Sequence, residues 1–228
     1  MDRENNRRPA VGGRITDLSS QVRDPERINV FLDGSFAFGL DRELALREGL
    51  RIGDELDAAR VAALRAADDV AKATTNALGL LARRPRSERE VRDRLRQKGY
   101  APEAIDAAIA KLEGWRYLDD ADFARYWVEN REAHQPRGRR LLEQELRQKG
   151  VDREVVRDAI AAAELDEQAA ALEIARKKQR SYAGEEPAVV RRRLGSFLAR
   201  RGYGWDVVRP VLDRLLGEGD DDELGDEG

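Results

Sequence analysis

The chain has 228 residues, of which 38% are charged and 41% apolar, and its net charge is −3. It contains no cysteine and one histidine, which excludes disulfides, thiolate chemistry and multi-histidine metal sites. It has no apolar run of about 18 residues and no apolar signal-peptide core near its start, so we expect a cytoplasmic protein.

The N-terminal part of the chain shows the alternation of a β-hairpin. Apolar residues alternate along residues 28–32 and again along residues 36–40, and Asp33 and Gly34 stand between the two runs. An Asp-Gly pair is typical of a tight hairpin turn, because both of its residues must adopt positive φ. We predict a hairpin here, with residues 14–22 as a candidate third strand.

Beyond Asp41 we expect no further strand, because alanine, leucine, arginine and glutamate dominate and all favour helices. This part of the chain contains an internal repeat. The sequence LRQKG at residues 95–99 recurs unchanged at residues 146–150, and a weaker copy, LARRG, follows at residues 198–202. The spacing of roughly 50 residues predicts three tandem helical units.

Each repeat is predicted to contain three helices. The first helices are expected at residues 70–83, 120–133 and 166–181, the second at 88–98, 138–148 and 187–201, and the third at 102–113, 152–163 and 205–216. Gly99, Gly150 and Gly202 lie where the end of a second helix needs a left-handed residue. Units this small are stabilised by stacking on one another, so we expect an elongated right-handed helical array.

The expected domain organisation follows from the hairpin, the repeats and the composition of the two ends. We predict a flexible leader, an extension with the hairpin and a helix, three repeats and a disordered acidic tail, at residues 1–13, 14–69, 70–117, 118–164, 165–217 and 218–228. The tail carries seven acidic residues and no base, so the rest of the chain has a net charge of +4. The tail either aids solubility or competes with nucleic acid for the protein's own basic surface.

Basic residues concentrate around the second helices. Between residues 83–98, 131–149 and 176–201, bases outnumber acids by 15 in total. This pattern fits either a solvated helix surface with local ion pairs or a stripe that faces a polyanion or a protein partner. The best candidates for partner or DNA binding recur at one position of the repeat: Arg89, Arg140 and Arg192. Second come Lys98, Lys149, Arg92, Arg96, Arg139 and Arg147.

Candidate catalytic groups are few. Asp119, Asp120 and Asp122 stand where a helix begins, so we interpret them as capping and first-turn residues. His134 stands near a predicted helix end and has no nucleophile nearby in the sequence. No phosphate-binding loop, dinucleotide fingerprint or zinc-protease motif is present. We therefore predict no enzyme, no catalytic residue, no metal site and no cofactor.

Five of the large aromatic residues between residues 115 and 205 are expected to be core residues rather than platforms on which nucleic-acid bases stack. They are Trp115, Tyr117, Tyr126, Trp127 and Trp205.

Three stretches of the chain resemble the RecX family, whose members regulate the bacterial recombinase RecA. They are residues 87–99 (SEREVRDRLRQKG), residues 115–124 (WRYLDDADFA) and residues 138–150 (GRRLLEQELRQKG). The β-like residues 28–40 look like the N-terminal extension of longer members, and the likeness covers residues 14–217. The resemblance implies an all-α fold of tandem three-helix repeats behind a small β-hairpin-containing extension.

The resemblance also implies a function. Such proteins bind the filament of RecA on single-stranded DNA and modulate, mainly inhibit, its ATPase, its strand exchange and its growth, which regulates DNA repair and recombination. The expected partners are the RecA filament and single-stranded DNA, bound directly or through the filament. Two alternatives stay open: a helical-repeat nucleic-acid-binding module that acts without a recombinase, and a helical scaffold for another protein.

Overall fold

The computed structural model describes residues 11–217, so the predicted acidic tail and most of the predicted leader lie outside the described residues. Two compact units are present. Within the described residues, the first comprises residues 11–84 and 91–118, and the second comprises residues 85–90 and 119–217. No helix in this part of the chain is long and apolar enough to cross a membrane.

The first unit opens with an antiparallel sheet of four strands in the order β3-β2-β1-β4. The strands are β1 (Gly13–Ser20), β2 (Arg27–Leu32), β3 (Ser35–Asp41) and β4 (Glu55–Leu56). The predicted hairpin is confirmed as β2 and β3, and both of its turn residues, Asp33 and Gly34, have positive φ (48° and 78°). The candidate third strand is confirmed as β1, which pairs with β2.

The prediction that no strand follows Asp41 is wrong. After the short helix α1 (Arg42–Arg47), the two residues of β4 pair with the start of β1, where Leu56 lies opposite Gly13. Leu56 is buried in the core beneath the sheet. A strand of two residues is too short to show the alternation of apolar and polar residues that indicates a strand in a sequence. Its pairing with β1 determines its conformation instead.

The predicted start of the first helix at residue 70 is also wrong. Helix α2 runs over Ala58–Leu81, and the side chain of Asp57 caps it by accepting from the backbone N–H of Arg60. The helix is long because its two halves pack into two different apolar cores. Its first half packs Val61 and Leu64 against the sheet, and its second half packs Ala73 and Ala77 into the core of the first repeat.

The other eight predicted helices are confirmed to within two residues at each end. They are α3 (Glu88–Gln97), α4 (Pro102–Gly114), α5 (Asp120–His134), α6 (Arg139–Gln148), α7 (Arg153–Ala162), α8 (Glu167–Gln179), α9 (Pro187–Arg200) and α10 (Trp205–Leu216), with a short 3-10 helix (Arg180–Tyr182) before α9. Each repeat has its own apolar core. Gly99, Gly150 and Gly202 adopt the predicted left-handed conformation, with φ of 81°, 86° and 87°. The three-helix repeats behind a small β-containing extension are thus confirmed.

A buried carboxylate joins the sheet to α2 in the first unit. Asp68 is 3% exposed and accepts two hydrogen bonds from the Arg27 guanidinium, at 3.1 and 3.0 Å. It also accepts from the backbone N–H of Asp41 at 2.8 Å and pairs with Lys72 at 2.8 Å. This network fixes the end of β3 against the middle of α2.

We expect Asp68→Ala to destabilise the first unit by about 3 kcal/mol, because it removes the buried carboxylate that Arg27, Lys72 and the backbone N–H of Asp41 share. Urea unfolding followed by circular dichroism measures this loss. The matched control is Asp106→Ala, which removes an exposed carboxylate paired with Arg92 and should cost less than about 1 kcal/mol. Equal losses in the two variants would contradict the role assigned to Asp68.

Candidate functional site

The second helix of the second repeat combines a buried apolar side with an exposed polar side. On α6, Leu142 and Leu146 are buried, whereas Arg140, Gln144 and Arg147 are exposed. Residues three or four positions apart share one side of a helix, so these exposed residues form one strip.

Helix α9 of the third repeat shows the same arrangement. Leu194 and Leu198 are buried, and Arg192, Ser196 and Arg200 form the exposed strip. We call the two strips together the basic face. Both strips belong to the second unit.

The four arginines of the basic face place positive charge on an exposed surface. None of them forms an ion pair or a side-chain hydrogen bond with another residue of the described chain 11–217. Glu143 lies beside the α6 strip and pairs with neither of its arginines. Since guanidinium groups stay charged at any physiological pH and bind phosphate and carboxylate groups bidentately, the face is suited to an anionic partner.

The position of the α6 strip is set by a contact between the start of α6 and the end of α9. The backbone N–H of Gly138 donates to the carbonyl of Arg201 at 2.9 Å. The backbone N–H of Arg139 donates to the Glu167 carboxylate at 2.8 Å, at the start of α8. Leu141 covers Gly202 so closely that a Cβ added there would lie 2.9 Å from the Leu141 Cα. We call this contact, and its equivalent described next, the repeat joint.

The equivalent joint connects the start of α3 to the end of α6, also within the second unit. Ser87 Oγ donates to the carbonyl of Lys149 at 2.6 Å, and the backbone N–H of Glu88 donates to Asp120 at 2.8 Å. The side-chain stem of Arg89 covers Gly150, where an added Cβ would lie 2.6 Å from the Arg89 Cβ. Arg89 thus has a packing role that its sequence position does not reveal.

Lys149, a predicted binding residue, is held at the same joint. Its Nζ pairs with Glu90 at 2.9 Å and lies 4.3 Å from the centre of the Trp127 ring. The Arg131 guanidinium lies 4.1 Å from the same ring centre, and the Trp127 indole donates to Glu145 at 2.8 Å. These contacts stabilise the second repeat through ion-pair and cation–π interactions.

Three further predicted binding residues form ion pairs. Arg92 pairs with Asp106, Arg96 pairs with Asp93 at 2.9 Å, and Arg139 pairs with Glu167 at 3.1 Å. By contrast, Lys98 donates to the neutral Asn76 side chain and forms no ion pair within residues 11–217. Of the predicted cations, those without a carboxylate partner among the described residues are Lys98, Arg140, Arg147 and Arg192.

The acidic residues between the first two repeats lie at the start of α5, as predicted. Asp119 caps the helix by accepting from the backbone N–H groups of Ala121 and Asp122 at 2.7 and 3.0 Å, and Asp120 and Asp122 lie in its first turn. Asp120 also accepts from the backbone N–H of Glu88 at the start of α3, a contact that was not predicted. His134 is the exposed last residue of α5. Across residues 11–217, no group of three or more histidine or acidic side chains is placed to hold a metal ion.

The prediction that the large aromatic residues lie in the core is wrong for four of the five. Trp115 and Tyr117 are 55% and 62% exposed, and Tyr126 and Trp205 are each 41% exposed. Only Trp127 is partly buried, between Arg131 and Lys149. The repeats are small, and Val, Leu, Ile and Ala fill most of their cores, with only a few aromatic side chains among the buried residues.

The residue that follows Gly202 at the repeat joint is a buried tyrosine. Tyr203 is 2% exposed, and its hydroxyl has no hydrogen-bond partner among the described residues. Burial, reinforced by the Glu167 carboxylate, raises the pKa of Tyr203 to about 12. The side chain therefore stays neutral at physiological pH and supports the joint by apolar packing.

Comparison with protein families gives matches along most of the chain. Residues 13–57 match the N-terminal domain of the regulatory protein RecX. Residues 73–112, 119–160 and 166–212 match the first, second and third three-helix domains of RecX.

Individual relatives carry the same name. A regulatory protein RecX of Bacillus licheniformis is 34% identical over 211 residues, which cover 91% of this chain and 79% of the relative. One of Clostridium botulinum is 34% identical over 206 residues and covers 89% and 96% of the two chains. A crystal structure of regulatory protein RecX is 27% identical, with a TM-score of 0.74 over 88% of this chain and 98% of the other.

We expect Gly202→Ala to destabilise the second unit by about 3 kcal/mol, from a left-handed φ and a clash with Leu141. The matched control is Gly184→Ala, since Gly184 has a φ of 88° but nothing within 4 Å of an added Cβ. Gly184→Ala should lower the free energy of unfolding only through its unfavourable backbone conformation, by about 1 kcal/mol. The urea unfolding midpoints of the two variants, at an unchanged m-value, measure the two losses of stability. Equal losses would contradict the close contact between Leu141 and Gly202.

Proposed function

This chain belongs to the RecX family, and on that premise we propose that it regulates the recombinase RecA by binding its filament on single-stranded DNA. Binding inhibits the filament's ATPase, its strand exchange and its growth, and it thereby regulates recombination and DNA repair. The action is one of binding rather than of catalysis. The curated relatives are named regulatory proteins, which supports this proposal.

One observation supports the proposal most strongly: the arginines of the basic face have no ion-pair partner among the described residues 11–217. Arg140, Arg147 and Arg192 are exposed, while the neighbouring Arg139 and Lys149 are used in ion pairs. Exposed cations without a partner raise the local potential and attract an anionic surface. A filament on single-stranded DNA presents phosphates, and planar guanidinium groups match their geometry.

The structure also supports a function that depends on binding and needs no catalytic residues. The carboxylates that could have formed an acid–base pair, Asp119 and Asp120, accept backbone hydrogen bonds at helix starts. Asp122 pairs with Arg125 on the surface of α5. These side chains therefore stabilise the fold.

The test is single-strand-DNA-dependent ATP hydrolysis by the host recombinase with this protein titrated in. The wild type should suppress hydrolysis, and the triple variant Arg140→Glu, Arg147→Glu, Arg192→Glu should lose this effect at least tenfold, because each reversal replaces attraction by repulsion. Helicity should stay unchanged, because all three side chains are exposed and unpaired within the described chain.

The charge-matched control reverses three other exposed and unpaired cations, Lys111, Arg116 and Arg153. This control should inhibit nearly as well as the wild type. Equal loss in both triple variants would mean that only net charge matters and would contradict a specific face. No effect of the wild type on hydrolysis, combined with binding to free DNA, would favour a nucleic-acid-binding module that acts without a recombinase.

A further inference from the structure

A groove in the first unit has the properties of a phosphate-binding site, whereas the basic face belongs to the second unit. It runs between the last turns of α2 and the end of α3, and its volume is about 650 Å³. The described residues that line it include no carboxylate. Those used below are Asn76, Gly79, Arg83, Arg94, Gln97 and Lys98.

The three cations of the groove have no carboxylate partner within residues 11–217. Arg94 donates to the neutral side chain of Gln97 at 2.7 Å, and Lys98 donates to the neutral side chain of Asn76. Arg83 is exposed and has no side-chain partner within residues 11–217. All three positive charges therefore remain available to an anion that enters the groove.

The ends of the helices do not account for this much charge. Ala82 ends α2 and Gln97 is the last residue of α3, so two helix C-termini lie near the groove. Each is equivalent to about half a negative charge, which three full positive charges exceed by about two. Complementing the helix dipoles would need only one of the three cations.

The groove wall also contains a glycine within α2. Glycine is among the poorest helix formers, yet Gly79 stands within the last turn of a 24-residue helix. A Cβ added at Gly79 would meet nothing within 4 Å, so a larger residue would fit the protein alone. A glycine here keeps the space open and lets a ligand approach the helix backbone.

We propose that this groove binds the backbone phosphates of a single-stranded nucleic acid. Its volume of about 650 Å³ lies within the range of protein pockets that enclose a small ligand, which suits a short stretch of one strand. None of the described lining residues is aromatic, so the contacts go to phosphate and sugar rather than to stacked bases. Binding is therefore independent of base sequence and depends strongly on salt.

The inference deepens the proposed function and rests on it for one point, namely that the bound strand is the one in the filament. Its test contains no recombinase, so the groove and the regulation of the recombinase can fail independently. The probe is a fluorescent oligothymidylate, and its binding to the full chain is followed by anisotropy over a range of salt concentrations.

The double variant Arg83→Gln, Arg94→Gln should bind the probe at least tenfold more weakly at low salt. Its plot of log affinity against log salt should be shallower by about 1.4, or about 0.7 for each lost phosphate contact. The charge-matched control is Lys111→Gln, Arg116→Gln, which removes two exposed cations of the same unit outside the groove. It should keep most of the affinity, because neither residue lines the groove.

A second pair of variants tests the groove without removing a cation. Gly79→Glu places a carboxylate among the three cations. It should weaken binding of the probe about tenfold, because the groove then no longer contributes to the affinity. Gly79→Ala improves helix propensity, so it should raise the melting temperature. Its methyl group narrows the groove without adding a charge, so its loss of probe affinity should be clearly smaller than that of Gly79→Glu.

Three outcomes would overturn the proposal. Equal losses in the two double variants would show that net charge alone attracts the strand. Unchanged binding in Arg83→Gln, Arg94→Gln and in Gly79→Glu would show that the groove is not used. Displacement of the probe by inorganic tripolyphosphate as efficiently as by unlabelled oligothymidylate would assign the groove to a free polyphosphate.

Discussion

The repeat joint is the constraint on which the second unit depends. A second helix must end in a left-handed residue so that the chain can turn into the third helix, and only glycine does this without strain. The same absence of a Cβ lets the start of the preceding second helix approach Gly150 or Gly202 directly. The terminal carbonyls of one helix then accept from the start of another, through Ser87 or Gly138, so both helix ends are satisfied together.

The joint also divides the basic residues into two groups. Cations at or near it, such as Lys149 and Arg139, are held by carboxylates, and Arg89 packs over a glycine. Other exposed cations, such as Arg147 and Arg192, have no partner among the described residues. The recurrence of basic residues in the sequence therefore has one structural cause, the stability of the repeat joint, and under our proposal a second, the binding of a partner. Only contacts in the folded chain separate them.

Much of the fold could be predicted from the sequence because its signals are local. The Asp-Gly turn, the repeated LRQKG and the apolar spacing within each repeat each specify their structure over a few residues. The start of α2 was missed because the helix extends beyond the repeat to pack Val61 and Leu64 against the sheet. Strand β4 was missed because only its pairing with β1 defines it.

The candidate site was harder to predict, because ion pairs join residues far apart in the sequence. Glu90 and Lys149 are 59 positions apart, and nothing in either segment indicates their pairing. The exposure of Trp115 and Tyr117 likewise depends on how small each core is. Arg83 and Arg94 were not singled out, since they do not recur at a common position in the repeats. Their shared groove, and the lack of a carboxylate partner for either within residues 11–217, appear only in the fold.

The central claim is that the basic face of α6 and α9 contacts the recombinase filament. Hydrogen–deuterium exchange of this protein, alone and with the recombinase filament on single-stranded DNA, tests it most directly. We predict that the amides of Arg139–Gln148 and Pro187–Arg200 gain protection in the complex, while those of Arg153–Ala162 exchange as in the free protein. Complex formation with unchanged exchange in both basic helices would contradict the claim.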